Sequence, residues 1–111
     1  MRSHWPDVVW PVEYRTLAAD SGWLSTAHAR DTVTVSLHQD ARLDCDAFFS
    51  DCEAVFRAHA GRPHWGKLHT RKGLELARLY PEWARFRRLR ADLDPAGTFA
   101  NAYLRELFAI V

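Results

Sequence analysis

Two kinds of periodicity run along the chain. Over Thr32–His38, Val33, Val35 and Leu37 alternate with Thr32, Thr34, Ser36 and His38, the period-two pattern of a strand with one apolar and one polar face. Val12–Ala18 predicts a second strand, on which Glu13, Arg15 and Leu17 share a face. Residues 1–11 read as irregular, because Pro6 and Pro11 interrupt the apolar run Val8, Val9, Trp10. Asp20–Asp31 reads as a loop marked by Ser21-Gly22 and Ser25. The period then changes. Phe48, Cys52, Val55 and Phe56 recur at helical spacing, with Asp44 or Asp46 as a cap and Gly61 as a stop after a helix ending near His59. Arg62–His69 returns to an extended alternation around Trp65. A short helix over Gly73–Leu79 follows, then one opened by Pro81 with Trp83, Phe86, Leu89 and Leu93 on one side. Asp94-Pro95-Ala96-Gly97 is a turn, and a final helix carries Phe99, Tyr103, Leu104, Leu107 and Phe108.

The order strand, strand, helix, strand, helices predicts an α+β fold: a small antiparallel sheet with helices packed on one face. The opposite face carries Glu13, Arg15, Ser36 and His38. It faces either bulk water or a site completed by something else.

The 111 residues suffice for one domain, 1–111, and not for two. A net charge of +1 gives no overall basic field to collect nucleic acid. Arg85, Arg87, Arg88 and Arg90 interleave with Trp83, Phe86 and Leu89, as on the wet face of an amphipathic helix. No stretch approaches the roughly 20 apolar residues that cross a bilayer. The N-terminus lacks the pattern of a signal peptide, so no membrane anchor is predicted and a cytoplasmic location is expected. Cys45 and Cys52 lie on one predicted helix about 10 Å apart, beyond disulfide reach, and are expected to be reduced.

Glu13 and Arg15 point the same way from one strand. They form either a surface ion pair worth about 0–1 kcal/mol or an acceptor and a fork of donors for a polyhydroxylated ligand. The densest constellation is Arg62-Pro63-His64-Trp65-Gly66-Lys67-Leu68-His69, with two imidazoles, two cations, an indole and a glycine that permits close backbone approach. His59, His64 and His69 are evenly spaced near Cys45 and Cys52, but no Cys-x-x-Cys or His-x-x-x-His pattern is present, and a metal site is not predicted. Ser36 and His38 share a strand face without anything resembling a nucleophile elbow.

Three blocks, VEYRTLAADSGWLS, RPHWGKLH and DPAGTFANAYL, resemble in order the C-terminal region of the FAD-dependent sugar-1,4-lactone and alditol oxidases. These include the D-arabinono-1,4-lactone and L-gulonolactone oxidases, of the vanillyl-alcohol-oxidase type of flavoproteins. The resemblance covers Val12–Leu107. It implies a substrate-side domain that caps a flavin held by an N-terminal domain, and oxidation of a sugar lactone or polyol. By position, Glu13 and Arg15 match the strand pair facing the substrate, and His38 stands where alditol oxidases carry a threonine that contacts the polyol. His64 and Lys67 match the histidine and lysine of the HWGK block near flavin and substrate. Asn101 and Tyr103 match the asparagine and aromatic of the closing helix near the cofactor. The resemblance thus gives Glu13, Arg15, His64 and Lys67 catalytic roles, Glu13, Arg15, His38 and Lys67 substrate contacts, and His64, Lys67 and Asn101 cofactor contacts. Fixed cations such as Arg15 and Lys67 stabilise negative charge as an alcohol is oxidised in a water-poor pocket. Glu13 or His64 takes the hydroxyl proton.

Two departures from the family pattern stand out. His28-Ala29-Arg30-Asp31 replaces the family's Tyr-Gly-Arg-Asp, which puts the tight backbone approach of that glycine in question. No glycine-rich FAD-binding segment or flavin-linking histidine context precedes Val12. The chain alone is therefore expected neither to bind FAD tightly nor to turn over, and its expected partner is a separate FAD-binding domain or a second copy. The other reading is a non-catalytic remnant or interaction module of the same fold. Some relatives are membrane-associated, which the resemblance extends to this chain's setting.

Overall fold

The computed structural model describes residues 8–110, and the expectation for residues 1–7 lies outside them. The first two elements are β1 (Glu13–Leu17) and β2 (Thr32–Ser36). They pair antiparallel, with Glu13 opposite Ser36, Arg15 opposite Thr34 and Leu17 opposite Thr32. This register puts Glu13 and Arg15 on the face of Thr32, Thr34 and Ser36. Tyr14 and Thr16 share the other face with Val33 and Val35. Both strands stop within two residues of the predicted ends. His38 lies beyond β2, so the ladder does not set its face.

Four helices follow: α1 (Asp46–Ala58), α2 (Gly73–Leu79), α3 (Trp83–Leu93) and α4 (Ala102–Phe108). The fold is α+β, as the periodicity predicts. Asp44 supports the start of α1, its Oδ1 accepting from the Asp46 amide at 3.0 Å. The end of α1 differs in detail from expectation. Ala60, not Gly61, takes the left-handed conformation (φ 52°). The Gly61 amide reaches back to the Phe56 carbonyl at 2.8 Å, and the Ala60 amide reaches Arg57 at 3.2 Å, which closes a Schellman motif. Gly61 is required for proximity, because a Cβ there would sit 2.8 Å from the Phe56 oxygen. Cys45 precedes α1 and Cys52 is buried in it; both are free thiols, and burial pushes the Cys52 thiol up.

The predicted third extended segment does not become a strand. Residues 62–69 form a loop with a turn in which the Lys67 amide donates to the His64 carbonyl at 3.0 Å. The alternation around Trp65 arises because that side chain inserts into the core while its neighbours stay outside. The core is helical: Leu76, Tyr80, Trp83, Leu107 and Phe108 are buried together, with Trp65, Phe86, Leu24 and Leu104 packed around them. Gly73 lets α2 start against the end of α4, since a Cβ there would lie 2.1 Å from the Leu107 carbonyl oxygen.

Candidate functional site

The first two sequence blocks meet at Trp65. Its indole lies 5.2 Å from the Tyr80 ring, 5.8 Å from Trp83 and 6.3 Å from Phe108, centroid to centroid. Its Nε1–H donates to the Leu24 carbonyl at 3.0 Å, which ties the first block to the second. Arg62 adds a clamp. Its Nε donates to the Leu79 carbonyl at the end of α2 (2.9 Å), and its Nη1 donates to the carbonyls of Thr26 (3.2 Å) and His28 (2.9 Å). Its guanidinium also stands 5.3 Å from the Tyr80 ring centre. Burial, with Arg30 nearby, lowers the pKa of Arg62, while burial pushes the Tyr80 hydroxyl up to about 12. The third block joins through His69, whose Nε2 lies 2.8 Å from the Tyr103 hydroxyl with the two rings edge to face.

The loop that supplies Leu24, Thr26 and His28 is itself folded. The Asp20 carboxylate accepts from Ser25 Oγ (2.5 Å) and the Gly22 amide (2.9 Å), which holds its pKa low. The Ala29 amide closes the loop on the Asp20 carbonyl at 2.9 Å. Ala29 has φ 57°, the left-handed region that favours glycine. The position at which the family pattern carries glycine is thus left-handed here with an alanine in place.

On the strand, Glu13 and Arg15 form an ion pair through Oε1 and Nη2. On the turn, the Gly66 amide donates to His64 Nδ1 at 3.0 Å. In the neutral ring the proton therefore sits on Nε2. The Lys67 ammonium has no hydrogen-bond or ion-pair partner among the described residues. Asn101 spends its Oδ1 on capping α4, accepting from the Leu104 amide at 2.9 Å, which leaves its amide NH2 for any other contact. His38 is exposed beyond β2. Through Trp65 and His69–Tyr103, the structure brings the turn of His64 and Lys67 to the helix that begins at Asn101. The pair Glu13–Arg15 belongs to the separate hairpin.

An open groove of about 390 Å3 lies at the Leu17–Thr32 end of that hairpin, lined by Thr16, Leu17, Ala18, Asp31, Thr32 and Val33. None of the sequence-predicted site residues lines it. Among the described residues, no three His, Cys, Asp or Glu side chains are grouped to hold a metal ion. No helix among them is long and apolar enough to cross a membrane. Arg62 as a clamp is the organising residue that sequence reasoning missed. Its acceptors lie 17 to 36 residues away, so no local spacing announces them.

The chain is similar to known proteins over most of its length. The chain is 40% identical over 100 residues to the L-gulono-1,4-lactone dehydrogenase of Mycobacterium tuberculosis, covering 90% of this chain and 23% of that protein. It is 42% identical over 108 residues to the alditol oxidase of a Streptomyces species, covering 91% and 26%. It is 37% identical over 114 aligned positions to the L-gulonolactone oxidase of Bos taurus, covering 93% and 25%. These relatives are oxidoreductases of sugar lactones and alditols. Residues 1–107 match the family model for D-arabinono-1,4-lactone oxidase, and the chain belongs to that family. It spans about a quarter of the length of the curated relatives it matches.

Proposed function

We propose that the chain is the substrate-side part of an FAD-dependent oxidoreductase acting on a sugar-1,4-lactone (D-arabinono- or L-gulono-1,4-lactone) or an alditol. The observation that carries this reading is the pair of junctions at Trp65 and His69, which hold an unpartnered ammonium, an imidazole N–H and the start of α4 in one region of a family member. Lys67, His64 and the free amide of Asn101 would hold FAD from this side, and their donors fit its carbonyl-rich ring edge. The remaining contacts to FAD are assigned to polypeptide outside the matched quarter. The chemistry FAD supplies when bound is acceptance of a hydride from the alcohol carbon.

The chain's own residues divide the remaining work. Arg15 and Lys67 stabilise the negative charge that grows on the substrate oxygen, most effectively where water is excluded. Glu13 takes the hydroxyl proton. Its Oε2 has no partner among the described residues, whereas His64 Nδ1 is occupied by the Gly66 amide and its Nε2 already carries a proton. His64 therefore donates a hydrogen bond and does not act as the base. His38 contacts the far hydroxyls and sets preference among substrates.

The test is complementation. The chain is combined with the remaining three quarters of the M. tuberculosis relative, and acceptor-linked oxidation of L-gulono-1,4-lactone, D-arabinono-1,4-lactone and an alditol is measured. Substrate-dependent oxidation is expected, and Lys67→Met lowers it by about 100-fold, the scale for removing one charge-stabilising donor. An assembled complex with no substrate-dependent oxidation, or full activity in Lys67→Met, contradicts the reading.

A further inference from the structure

The alternation in β2 predicts that its valines are covered and its threonines wet. The structure has the reverse: Val33 is 45% and Val35 40% exposed, while Thr32, Thr34 and Ser36 are half-buried. Across the ladder, Tyr14 on the same face as the valines is 65% exposed. Tyr14, Thr16, Val33 and Val35 include no charge, and apart from two hydroxyls this face is apolar. A two-stranded hairpin is at best marginal by itself; it needs further strands or a packed layer.

An apolar face left open in this way invites a covering layer. The relatives show what is available to cover it: the matched region is 23% to 26% of their length, and the other three quarters must meet this region somewhere.

We propose that the face of Tyr14, Val33 and Val35 is the docking surface for that remaining portion of a family protein, carried on the same polypeptide or on another. The opposite face, with Glu13, Arg15 and Thr34, is thereby left to the substrate. This rests on the functional reading above for the role of the polar face, but the docking face is set by burial and register alone. An apolar, uncharged partner layer is the chemistry it fits; a second copy of this chain is the competing occupant.

The experiment mixes the full chain with the remaining three quarters of the M. tuberculosis relative and measures complex formation by size-exclusion chromatography with light scattering and by titration calorimetry. The chains compared are wild type, the double variant Val33→Asp/Val35→Asp, Tyr14→Lys and the control Arg87→Glu on α3. Circular dichroism checks that each is folded, and Tyr14→Lys keeps the test intact should the double variant unfold. A one-to-one complex is expected for wild type and Arg87→Glu, with affinity reduced about 100-fold in the face variants, the scale for losing central anchors. Unchanged affinity in the face variants, absence of a wild-type complex, or a wild-type dimer formed through this face each overturns the proposal. Lactone oxidation is read on the same samples. A complex that depends on this face but oxidises no substrate contradicts the functional reading and leaves the docking face standing. Oxidation that is indifferent to Val33 and Val35 does the opposite.

Discussion

Replacing Trp65 with alanine removes the ring that stacks among Tyr80, Trp83 and Phe108 and the N–H that holds the Leu24 carbonyl. Truncation of a buried tryptophan costs about 3–5 kcal/mol, and because Trp65 is half-buried the lower end, about 3 kcal/mol, is expected. Trp65→Phe separates the two contributions. It keeps most of the stack and loses only the donor, so about 1–2 kcal/mol is expected from a lost hydrogen bond and an unpaired carbonyl. Urea unfolding followed by far-ultraviolet circular dichroism gives both values. In a thermal scan, at about 4 °C per kcal/mol for a domain of this size, the alanine variant melts about 12 °C lower. A cost below about 1 kcal/mol for Trp65→Ala would show that the first two blocks are not held together here. Equal costs for the two variants would show that the hydrogen bond, not the stack, carries the junction.

Ala29→Gly relieves a left-handed residue and raises stability by about 0.5–1 kcal/mol, after the entropy glycine loses on folding is set against the 1–2 kcal/mol of strain; an unfolding titration showing a loss refutes it. Gly73→Ala puts a Cβ 2.1 Å from the Leu107 carbonyl oxygen and separates α2 from α4, with an expected cost of at least about 2 kcal/mol in the same titration. Burial acts to raise the pKa of Glu53, but the Thr70 amide and hydroxyl and Arg57 outweigh it and hold the carboxyl below its ordinary value of 4.5. A depressed carboxylate stabilises the fold above its unfolded pKa, and that contribution is lost as pH falls through the lower folded value. Stability should therefore fall below about pH 4.5, and Glu53→Gln should flatten that part of the profile; an unchanged acid limb in the variant argues against it.

The elements whose signal is local were legible in the sequence. The alternation of Thr32–Ser36, the helical spacing of Phe48, Cys52 and Val55, and the bounds of Gly73–Leu79 all come from side-chain period, which the backbone obeys directly. The extended reading of residues 62–69 failed because an alternation of period two arises equally when one large ring, Trp65, is drawn into a helical core. The inverted burial of β2 was not legible either. Its apolar face waits for a surface that is not among the described residues, and no pattern within the chain says so. At the candidate site, residue types and order singled out His64 and Lys67 but not the turn on which they stand. The His64 tautomer and the spent Oδ1 of Asn101 follow only from backbone amides brought close by the fold.

The most direct test of the account is anaerobic mixing of the complemented protein with L-gulono-1,4-lactone, following the loss of flavin absorbance in wild type, Glu13→Gln and Lys67→Met. The account predicts rapid bleaching in wild type and rates lowered by about 100-fold in each variant with the flavin still bound. Bleaching at the wild-type rate in both variants would place the chemistry away from the side chains that this chain contributes.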